Sequence, residues 1–329
     1  MVRPLLNVAS PGGAQARLSV LVFHRVLPAP DPLYPEAMHA QRFTELCRWV
    51  QSMFCTLPLD DAARRLRNGT LPRRALAITF DDGYADNLHV AMPILQSHGL
   101  PATFFIATGF LDGGCMWNDR VIESLRRSTL PSINLRELLG PDTPVFALAS
   151  TLQRRIALEA VIARIKYLPV ARREALVQEI HRRSGAHLPA DLMLTSAQVR
   201  QMHHGGMQIG AHTVSHPILA TLTADAARQE MADSKHHLER LLGEPVTLFA
   251  YPNGQPGEDF NADSVAIARA LGFEAAVTTA RGAANGRTDC MQIPRFTPWD
   301  RSRLRFGARM LSTLWSSRRG SAQLASTPG

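Results

Sequence analysis

Two pairs of polar side chains in this sequence have the residue types and the spacing of a metal centre. Asp81 and Asp82 stand side by side after the apolar run LAITF, and His212 and His216 stand four residues apart in the segment GAHTVSHP. Two imidazole nitrogens and one carboxylate oxygen are the ligands of a catalytic zinc ion, which keeps further positions open for water and substrate. Either aspartate could supply the carboxylate, and the other would then be free to accept a proton.

Adjacent carboxylates at the end of a buried strand need an explanation, because burial and mutual repulsion both oppose their charges. A bound cation relieves that repulsion. The simpler alternatives are that DDG (81–83) is an ordinary turn and that the two histidines are a solvated pair on a surface helix. If the histidine segment turns helically, both imidazoles lie on one face. Because both halves of the pattern follow predicted strands, we favour a shared functional site.

Strands and helices alternate along the chain and must position these side chains. Apolar, β-branched or aromatic runs predict strands at residues 19–24, 76–80, 102–107, 207–211, 247–251, 274–279 and 291–296. Helical pattern occurs at residues 88–98, 152–183, 196–204, 222–242 and 262–271. This alternation predicts an α/β fold with a mostly parallel barrel or open sheet.

Polar residues follow several of the predicted strands. His24 ends the first strand, and the segment AYPNGQ (250–255) ends the fifth, as the aspartates end the second and the histidines the fourth. Parallel α/β folds carry their chemistry on the loops after the strands. We therefore expect these residues to meet at one rim of the sheet.

The domain organisation predicted from composition is one barrel with additions. Residues 17–300 form the barrel, residues 1–16 an N-terminal extension, and the Arg-, Leu- and Ala-rich stretch of about 112–195 a helical insertion. The tail 301–329 carries six arginines and no acidic residue, with apolar residues among them. It reads as a packing helix with a loose end, or as a helix that binds a membrane surface or a partner.

Composition excludes several classes of protein. The apolar fraction of 45% is that of a globular chain, and four widely spaced cysteines argue against a disulfide scaffold. The net charge of +8 arises from 34 arginines and two lysines spread along the chain, without a nucleic-acid motif, so we expect no nucleic-acid partner. Neither a membrane span nor a Sec-type signal is evident, which predicts a cytoplasmic protein.

Three segments resemble the first three motifs of a known family. TFDDGY (79–84), HTVSH (212–216) and FAYPNG (249–254) are similar to motifs of the polysaccharide deacetylases, the NodB-homology or carbohydrate esterase family 4 enzymes. By motif order and spacing the resemblance covers roughly residues 19–297. It implies an irregular (β/α)7 TIM-like barrel, here with a helical insertion, and metal-dependent removal of N-acetyl groups from a glycan.

The same resemblance implies a division of roles within the site. Asp82, His212 and His216 match the metal triad, with Zn²⁺ as the expected ion and Co²⁺, Mn²⁺ or Ni²⁺ as alternatives, and Asp81 matches the general base. A divalent ion makes water more acidic, and Asp81 would accept the proton as water attacks the amide carbonyl. Thr213 would orient the histidines or serve as a turn hydroxyl.

The sequence departs from the family pattern in the third motif and near the C-terminus. Ala250 stands where relatives often carry an arginine that pairs with the catalytic aspartate, so Arg295 or Arg25, both at strand ends, could supply that guanidinium. No histidine follows His237, although most relatives place their catalytic acid late in the chain. His24 resembles the N-terminal histidine of a rearranged subgroup, and we assign it as the acid, with packing or hydrogen bonding as its alternative role.

Substrate contacts are predicted at Tyr84, Tyr251, Asn253 and Trp117. Asn253 replaces an aromatic residue that relatives place before the third-motif glycine, which predicts a more polar contact. A backbone N–H near Tyr251 or Asn253 would stabilise the oxyanion. Trp117 could line the substrate groove or anchor the insertion.

The expected function is N-deacetylation of an N-acetylhexosamine polysaccharide or oligosaccharide, in exopolysaccharide or cell-envelope metabolism. A metal-dependent amidase that acts on a non-glycan amide, or a catalytically weak carbohydrate-binding relative, are the alternatives. The expected partner is an N-acetylated glycan. The basic tail (301–329) could hold the protein at the inner face of a membrane.

Overall fold

Strands and helices of the protein alternate in the computed structural model, which describes residues 2–316 and residue 324. The described strands are β1 (Leu18–Phe23), β2 (Cys55–Thr56), β3 (Ala75–Phe80), β4 (Thr103–Ile106), β5 (Ser132–Ile133), β6 (Phe146–Ala147), β7 (Gln208–Ala211), β8 (Leu248–Ala250) and β9 (Ala275–Val277). The described α-helices are α1 (Val2–Ala9), α2 (Ala40–Met53), α3 (Leu59–Arg67), α4 (Met92–Ser97), α5 (Trp117–Arg127), α6 (Arg136–Leu139), α7 (Thr151–Ile165), α8 (Val170–Ser184), α9 (Ser196–His204), α10 (Ala224–Leu242), α11 (Ala262–Ala270) and α12 (Arg303–Ser316).

The chain divides into two compact units. The first comprises Met1–Ala29, Met38–Asp112 and Leu194–Gly329, and the second comprises Pro30–Ala37 and Gly113–Met193. The bounds of the longer segment of the second unit, Gly113–Met193, are close to those of the predicted insertion, about 112–195.

A curled parallel sheet forms the centre of the first unit. Its strands lie in the order β1-β3-β4-β7-β8-β9, every neighbouring pair is parallel, and β2 adds to the start of β3. Helices connect these strands, as parallel neighbours require. The predicted irregular TIM-like α/β barrel is confirmed.

The predicted strand 291–296 is wrong as a regular strand. Cys290–Gln292 forms a 3-10 turn, and the residues that follow make only isolated bridges. Ile293 bridges to Val277 of β9, and Phe296 bridges to Leu21 of β1. Pro294 has no N–H to donate, which prevents a continuous ladder there. The segment nevertheless links the two outer strands of the sheet order.

Side chains alternate between two faces of the sheet, and this alternation directs Asp81. On β3, Leu76 and Phe80 belong to the large core between sheet and helices, whereas Ala75 and Ala77 belong to a smaller cluster with Val20 and Phe105 on the other face. Asp81 continues the series 75, 77 and 79, since its N–H still pairs with the carbonyl of β1 at 2.9 Å. The small alanines leave space on this face for larger polar side chains.

Several helical boundaries differ from the prediction. The helix expected at 152–183 is two helices, α7 and α8, because Pro169 interrupts the pattern. The start of the helix expected at 88–98 is a π-helical turn at Asn87–Ala91 that leads into α4. Helices α2 and α3 were not predicted.

The second unit has a core of its own. Helices α5, α7 and α8 and the antiparallel pair of β5 and β6 enclose a cluster that includes Val121, Leu158, Val161 and Ile180. Helix α7 begins with a capping box in which Ser150 and Gln153 satisfy each other's backbone N–H groups. The apolar side chains on the helices of this unit are therefore buried against one another within the unit.

The predicted extension and tail both contribute helices to the first unit. Leu6 and Ala9 of α1 and Phe306 of α12 are buried in its large core. Residues 317–323 and 325–329 of the predicted tail lie outside the described residues. Among the described helices, none combines the length and the apolar character that a membrane crossing needs.

Candidate active site

Asp82, His212 and His216 converge at the ends of β3 and β7. The Oδ1 atom of Asp82 lies 3.5 Å from Nε2 of His212 and 3.5 Å from Nε2 of His216. One potential ligand atom from each residue lies within 4.8 Å of the others. Within the described part of the chain, the buried Oδ1 of Asp82 has no hydrogen-bond partner. An unsatisfied buried oxygen that faces two imidazole nitrogens fits a cation, because each of the three atoms can donate a lone pair to it.

The backbone fixes the orientation of His212. Its Nδ1 lies 2.7 Å from the carbonyl oxygen of Ala250, so Nδ1 carries the proton and donates it, while Nε2 faces Asp82. A ring N–H held by a carbonyl is the usual way in which proteins fix the tautomer of a metal-binding histidine. Ala250 thus has a role in the site through its main chain.

Burial and neighbouring charges shift the pKa values of all three residues in the cluster. Burial opposes ionisation of Asp82, but His212 and His24 outweigh it and hold the pKa of that carboxyl below its ordinary value. Burial lowers the pKa of His212, yet Asp82 and Asp81 offset this and raise it overall. Burial lowers the pKa of His216 to about 4, so this ring is neutral at pH 7. A neutral imidazole is the form that binds a metal.

The segment between the two histidines is an irregular turn and does not form the helical turn that was considered for it. Thr213 and His216 have φ angles of 65° and 54°, in the left-handed region that non-glycine residues seldom adopt. The Thr213 hydroxyl donates to the carbonyl of His212 at 2.5 Å and accepts from the N–H of His216 at 3.1 Å. This hydroxyl therefore closes the turn that brings the two imidazole rings to a centroid distance of 4.8 Å.

Two further site residues lie at the centre of strained turns. Asp82 has φ 78°, and the N–H of Gly83 donates across it to the carbonyl of Asp81 at 3.0 Å. Asn253 has φ 57°, and the N–H of Gly254 donates across it to the carbonyl of Pro252 at 2.6 Å. Such γ-turns with positive φ are rare and cost about 1–3 kcal/mol each, and strain of this kind clusters at functional sites.

Arg295 pairs with Asp81 in the interior of the sheet. Its two terminal nitrogens donate to the two carboxylate oxygens at 2.7 and 2.6 Å, and its Nε donates to the carbonyl of Thr278 at 2.9 Å. Both side chains are buried, at 1% and 3% exposure. Burial opposes the charge of Asp81, but the guanidinium outweighs it, so the pKa of the carboxyl is lowered and Asp81 is ionised at neutral pH.

Arg25, the alternative source of this guanidinium, is engaged elsewhere. Its Nε donates to Asp86 at 2.7 Å, and its guanidinium lies 4.8 Å above the ring of Tyr84. The two-pronged pair with Asp81 is thus formed by Arg295, whereas Arg25 binds Asp86.

His24 is exposed and follows β1 directly. It stands next to Phe23, whose carbonyl accepts the N–H of Asp81 at 2.9 Å. The Asn87 side chain donates to the carbonyl of His24 at 2.9 Å, and Asp86 accepts the N–H of Val26 at 3.0 Å. The loop after β3 thus holds the backbone on both sides of Arg25. The role of His24 as the acid stays a prediction.

Comparison with known families agrees with this geometry. A family model described as polysaccharide deacetylase matches residues 68–130 and 170–276, just over half of the chain. The chain belongs to the polysaccharide deacetylase family. It is accordingly an enzyme, a hydrolase that removes N-acetyl groups from polysaccharides.

Individual relatives of this deacetylase are distant in sequence. It is 22% identical over 272 residues to the Bacillus subtilis protein named "Putative polysaccharide deacetylase YxkH", in a match that covers 82% of this chain and 67% of the relative. The solved Streptococcus pyogenes deacetylase PplD, in complex with acetate, has a TM-score of 0.59 at 21% identity and covers 91% of this chain and 98% of its own. IcaB from Ammonifex degensii has a TM-score of 0.58 at 18% identity, in a match that covers 91% of this chain and 97% of IcaB. These structures share the fold with the deacetylase.

The predicted substrate residues of the deacetylase lie in different environments. Tyr84 is 4% exposed beneath Arg25, and Asn253 is exposed at its γ-turn. Tyr251 is fully buried and stacks on Phe260 at 4.0 Å, so its burial does not support a substrate contact. Trp117 begins α5 in the second unit, and its predicted contact stays a prediction.

The two predicted oxyanion donors also differ. The N–H of Tyr251 donates to the carbonyl of Val277 at 3.2 Å as part of the sheet, so it is not available to a substrate. The carbonyl of Asn253 accepts from the Thr279 hydroxyl at 2.7 Å, which holds the strained turn in place. Of the two backbone N–H groups, that of Asn253 is therefore the one compatible with donation to the oxyanion.

Residues that the sequence analysis missed support the site from outside. Glu230 of α10 accepts hydrogen bonds from the turn between the two histidines. Asp86 accepts the N–H of Val26 and so holds the segment that follows β1. Asp86 lies two residues after the first motif, which was an available signal, whereas Glu230 is one of several acidic residues along a polar helix.

Proposed function

We propose that this deacetylase is metal-dependent and removes acetyl groups from an N-acetylhexosamine glycan of the exopolysaccharide or cell-envelope type. The observation that carries the proposal is the unsatisfied Oδ1 of Asp82, which faces Nε2 of both His212 and His216. Beside it, Arg295 holds a second carboxylate, that of Asp81, in the ionised form. One carboxylate is thus placed for a cation and the other for a proton.

The donor set fits zinc. One hard carboxylate oxygen and two borderline imidazole nitrogens form a mixed donor set that Zn²⁺ binds readily, and Co²⁺, Mn²⁺ or Ni²⁺ accept the same set. Asp82, His212 and His216 would hold the ion. A divalent cation at this place supplies Lewis-acid chemistry, since it polarises an amide carbonyl and makes water more acidic.

Asp81 is the proton acceptor in this proposal. Its lowered pKa keeps the carboxylate ionised across the neutral range, so the base is in its active form without a preceding deprotonation. The fork of Arg295 fixes the direction in which the carboxylate oxygens point. As water attacks the amide carbonyl, Asp81 takes up the proton that water loses.

His24 and Asn253 complete the proposed chemistry. His24 is exposed, so its imidazole is accessible to a bound substrate and can donate a proton to the leaving amine. The N–H of Asn253, at the strained turn after β8, can donate to the oxygen on which negative charge develops. Both groups stand on loops that follow strands of the parallel sheet, where such folds carry their active sites.

The test is acetate release from a defined substrate. The purified protein is treated with a chelator, dialysed and assayed on N-acetylglucosamine oligomers and on a small non-glycan acetamide, with and without added Zn²⁺. We expect release from the oligomers that the chelator abolishes and Zn²⁺ or Co²⁺ restores. Release that survives complete metal removal contradicts the metal dependence. A preference for the small amide favours the alternative function of a non-glycan amidase.

We also propose that the protein works in the cytoplasm at the inner face of the membrane. Leu304 and Trp315 of α12 are 71% and 46% exposed, and the exposed Arg303 and Arg305 flank the first of them. Apolar and basic side chains together suit an anionic lipid surface. Sedimentation with phosphatidylserine vesicles should deplete the protein from the supernatant, and the variant Leu304→Ser with Trp315→Ser should bind more weakly. Equal binding to neutral vesicles contradicts the electrostatic part.

A further inference from the structure

We infer that Glu230 is a positioning residue that holds the turn between the two histidines in the conformation that binds the cation. The inference rests on the proposed metal-dependent function. Glu230 lies on α10, the next α-helix after the turn, and it belongs to none of the three motifs. Its action on the site runs through the backbone of the turn.

The carboxylate of Glu230 binds the middle of the turn at three points. Oε2 accepts the N–H of Val214 and the N–H of Ser215, both at 2.9 Å. Oε1 accepts the hydroxyl of Ser215 at 2.7 Å. Two adjacent N–H groups that donate to one carboxylate oxygen have their directions fixed relative to each other, so the peptide planes between the histidines cannot rotate freely.

The turn needs such support because its backbone is strained. Thr213 is β-branched and has φ 65°, and His216 has φ 54°. Each such residue costs about 1–3 kcal/mol and persists only where the surroundings impose the conformation. The Thr213 hydroxyl secures the two ends of the turn, and Glu230 secures its middle.

A second strand loop holds the turn from its other side. The N–H groups of Thr108 and Gly109 donate to the carbonyls of Thr213 and Val214 at 3.1 and 2.9 Å. A Cβ on Gly109 would lie 2.7 Å from the Val214 carbonyl oxygen, so glycine is required for this close approach. The peptide between Val214 and Ser215 is therefore clamped between the loop after β4 and the carboxylate of Glu230.

Loss of Glu230 should leave the fold intact. Glu230 is half-buried on the surface of α10, and Ser215 is exposed, so water can replace the carboxylate at the freed N–H groups. What water cannot replace is the fixed geometry. A histidine turn free to relax places the imidazole of His216 away from Asp82 for part of the time, and cation affinity falls accordingly.

The experiment measures Zn²⁺ affinity in competition with a chromophoric chelator, together with the thermal unfolding of the metal-free protein. The variants are Glu230→Ala, Glu230→Asp and Glu230→Gln. Asp233→Ala is the matched control, because Asp233 is one turn along α10 and binds Gln229 of the same helix at 2.6 Å. We expect Glu230→Ala to weaken Zn²⁺ binding about 10- to 100-fold. Glu230→Asp, one methylene too short, should also weaken it, Glu230→Gln should bind within a few-fold of wild type, and Asp233→Ala should be unchanged.

The outcomes separate this inference from the proposed function. Wild-type protein that binds no Zn²⁺ refutes the metal-dependent function and with it the inference. Wild-type binding with unaltered affinity in Glu230→Ala and Glu230→Asp overturns the inference alone. If Glu230→Ala unfolds, the result with Glu230→Asp decides. A loss of affinity in Asp233→Ala equal to that in Glu230→Ala also overturns it, because charge on the helix would then account for the effect.

Discussion

Replacement of Arg295 by methionine should destabilise the protein and abolish its turnover. Methionine occupies a similar volume but donates no hydrogen bond, so Asp81 remains as a buried carboxylate without its two bonds of 2.7 and 2.6 Å. Removal of one partner of a buried ion pair costs about 3–5 kcal/mol. The double variant with Asp81→Asn should recover at least about 2 kcal/mol of that loss, since no buried charge is then left unpaired.

The sign of the pH dependence follows from the lowered pKa of Asp81. In the wild type this shift adds stability that is present above the unfolded-state pKa near 3.8 and is lost as the pH falls through the folded-state pKa. In Arg295→Met, burial is no longer offset, so the pKa of Asp81 rises and the carboxyl protonates at higher pH. The stability difference between wild type and variant should therefore narrow as the pH falls from 7 towards 4.

Urea unfolding of chelator-treated protein at several pH values measures this directly. Arg295→Lys is the control, because lysine keeps the charge without the two-pronged geometry, and it should lie between the other two proteins. A free energy of unfolding within about 1 kcal/mol of wild type for Arg295→Met, with turnover unchanged, would refute the account of this pair.

Three other predictions concern the cation, the turn and the acid. Zn²⁺ affinity should fall about tenfold for each pH unit below the raised pKa of His212, because one proton must leave that ring before the metal binds, whereas His216 is already neutral. A Zn²⁺ affinity that stays constant between pH 8 and 5 speaks against this competition between proton and metal. Gly109→Ala, whose Cβ would meet the Val214 carbonyl oxygen at 2.7 Å, should cost about 1–3 kcal/mol in thermal unfolding and weaken Zn²⁺ binding, and an unchanged melting temperature and affinity would count against the clamp. His24→Gln should lower kcat about 100- to 10,000-fold while Zn²⁺ affinity stays the same, whereas kcat within twofold of wild type removes His24 as the acid.

The convergence of the site residues was predictable because of a rule that does not depend on chain separation. The carboxyl ends of parallel strands meet at one rim, so aspartates after β3 and histidines after β7 come together although about 130 residues separate them. The same rule made both Arg25 and Arg295 candidates to reach Asp81. It could not choose between them, since the choice depends on Asp86, which binds Arg25.

The backbone conformation of the site was not predictable from the sequence. Asp82, Thr213, His216 and Asn253 adopt positive φ angles that are uncommon outside glycine, and for the β-branched Thr213 local propensity argues directly against the observed turn. These conformations are imposed by contacts across the fold, such as those of Glu230 with the histidine turn. The spacing of HTVSH is compatible with a helical turn, and tertiary contacts impose an irregular one instead.

Three errors in the predicted elements had signals in the sequence. Pro169 is the N-cap of α8, and α7 ends four residues earlier at Ile165, so the prediction of a single helix over 152–183 ignored the N–H that proline lacks. Pro294 likewise limits the last predicted strand to isolated bridges. Apolar positions of α2 such as Phe43, Leu46 and Val50 have helical spacing and are buried, so this helix was detectable as well.

The most direct test of the account is a crystal of the protein soaked with Zn²⁺ and measured at the zinc absorption edge. The proposed metal site predicts one anomalous peak at about 2.0–2.2 Å from the Oδ1 of Asp82 and from the Nε2 atoms of His212 and His216, with Asp81 outside the coordination sphere and still paired with Arg295. A peak coordinated by Asp81, or no peak among these side chains at saturating zinc, would contradict it.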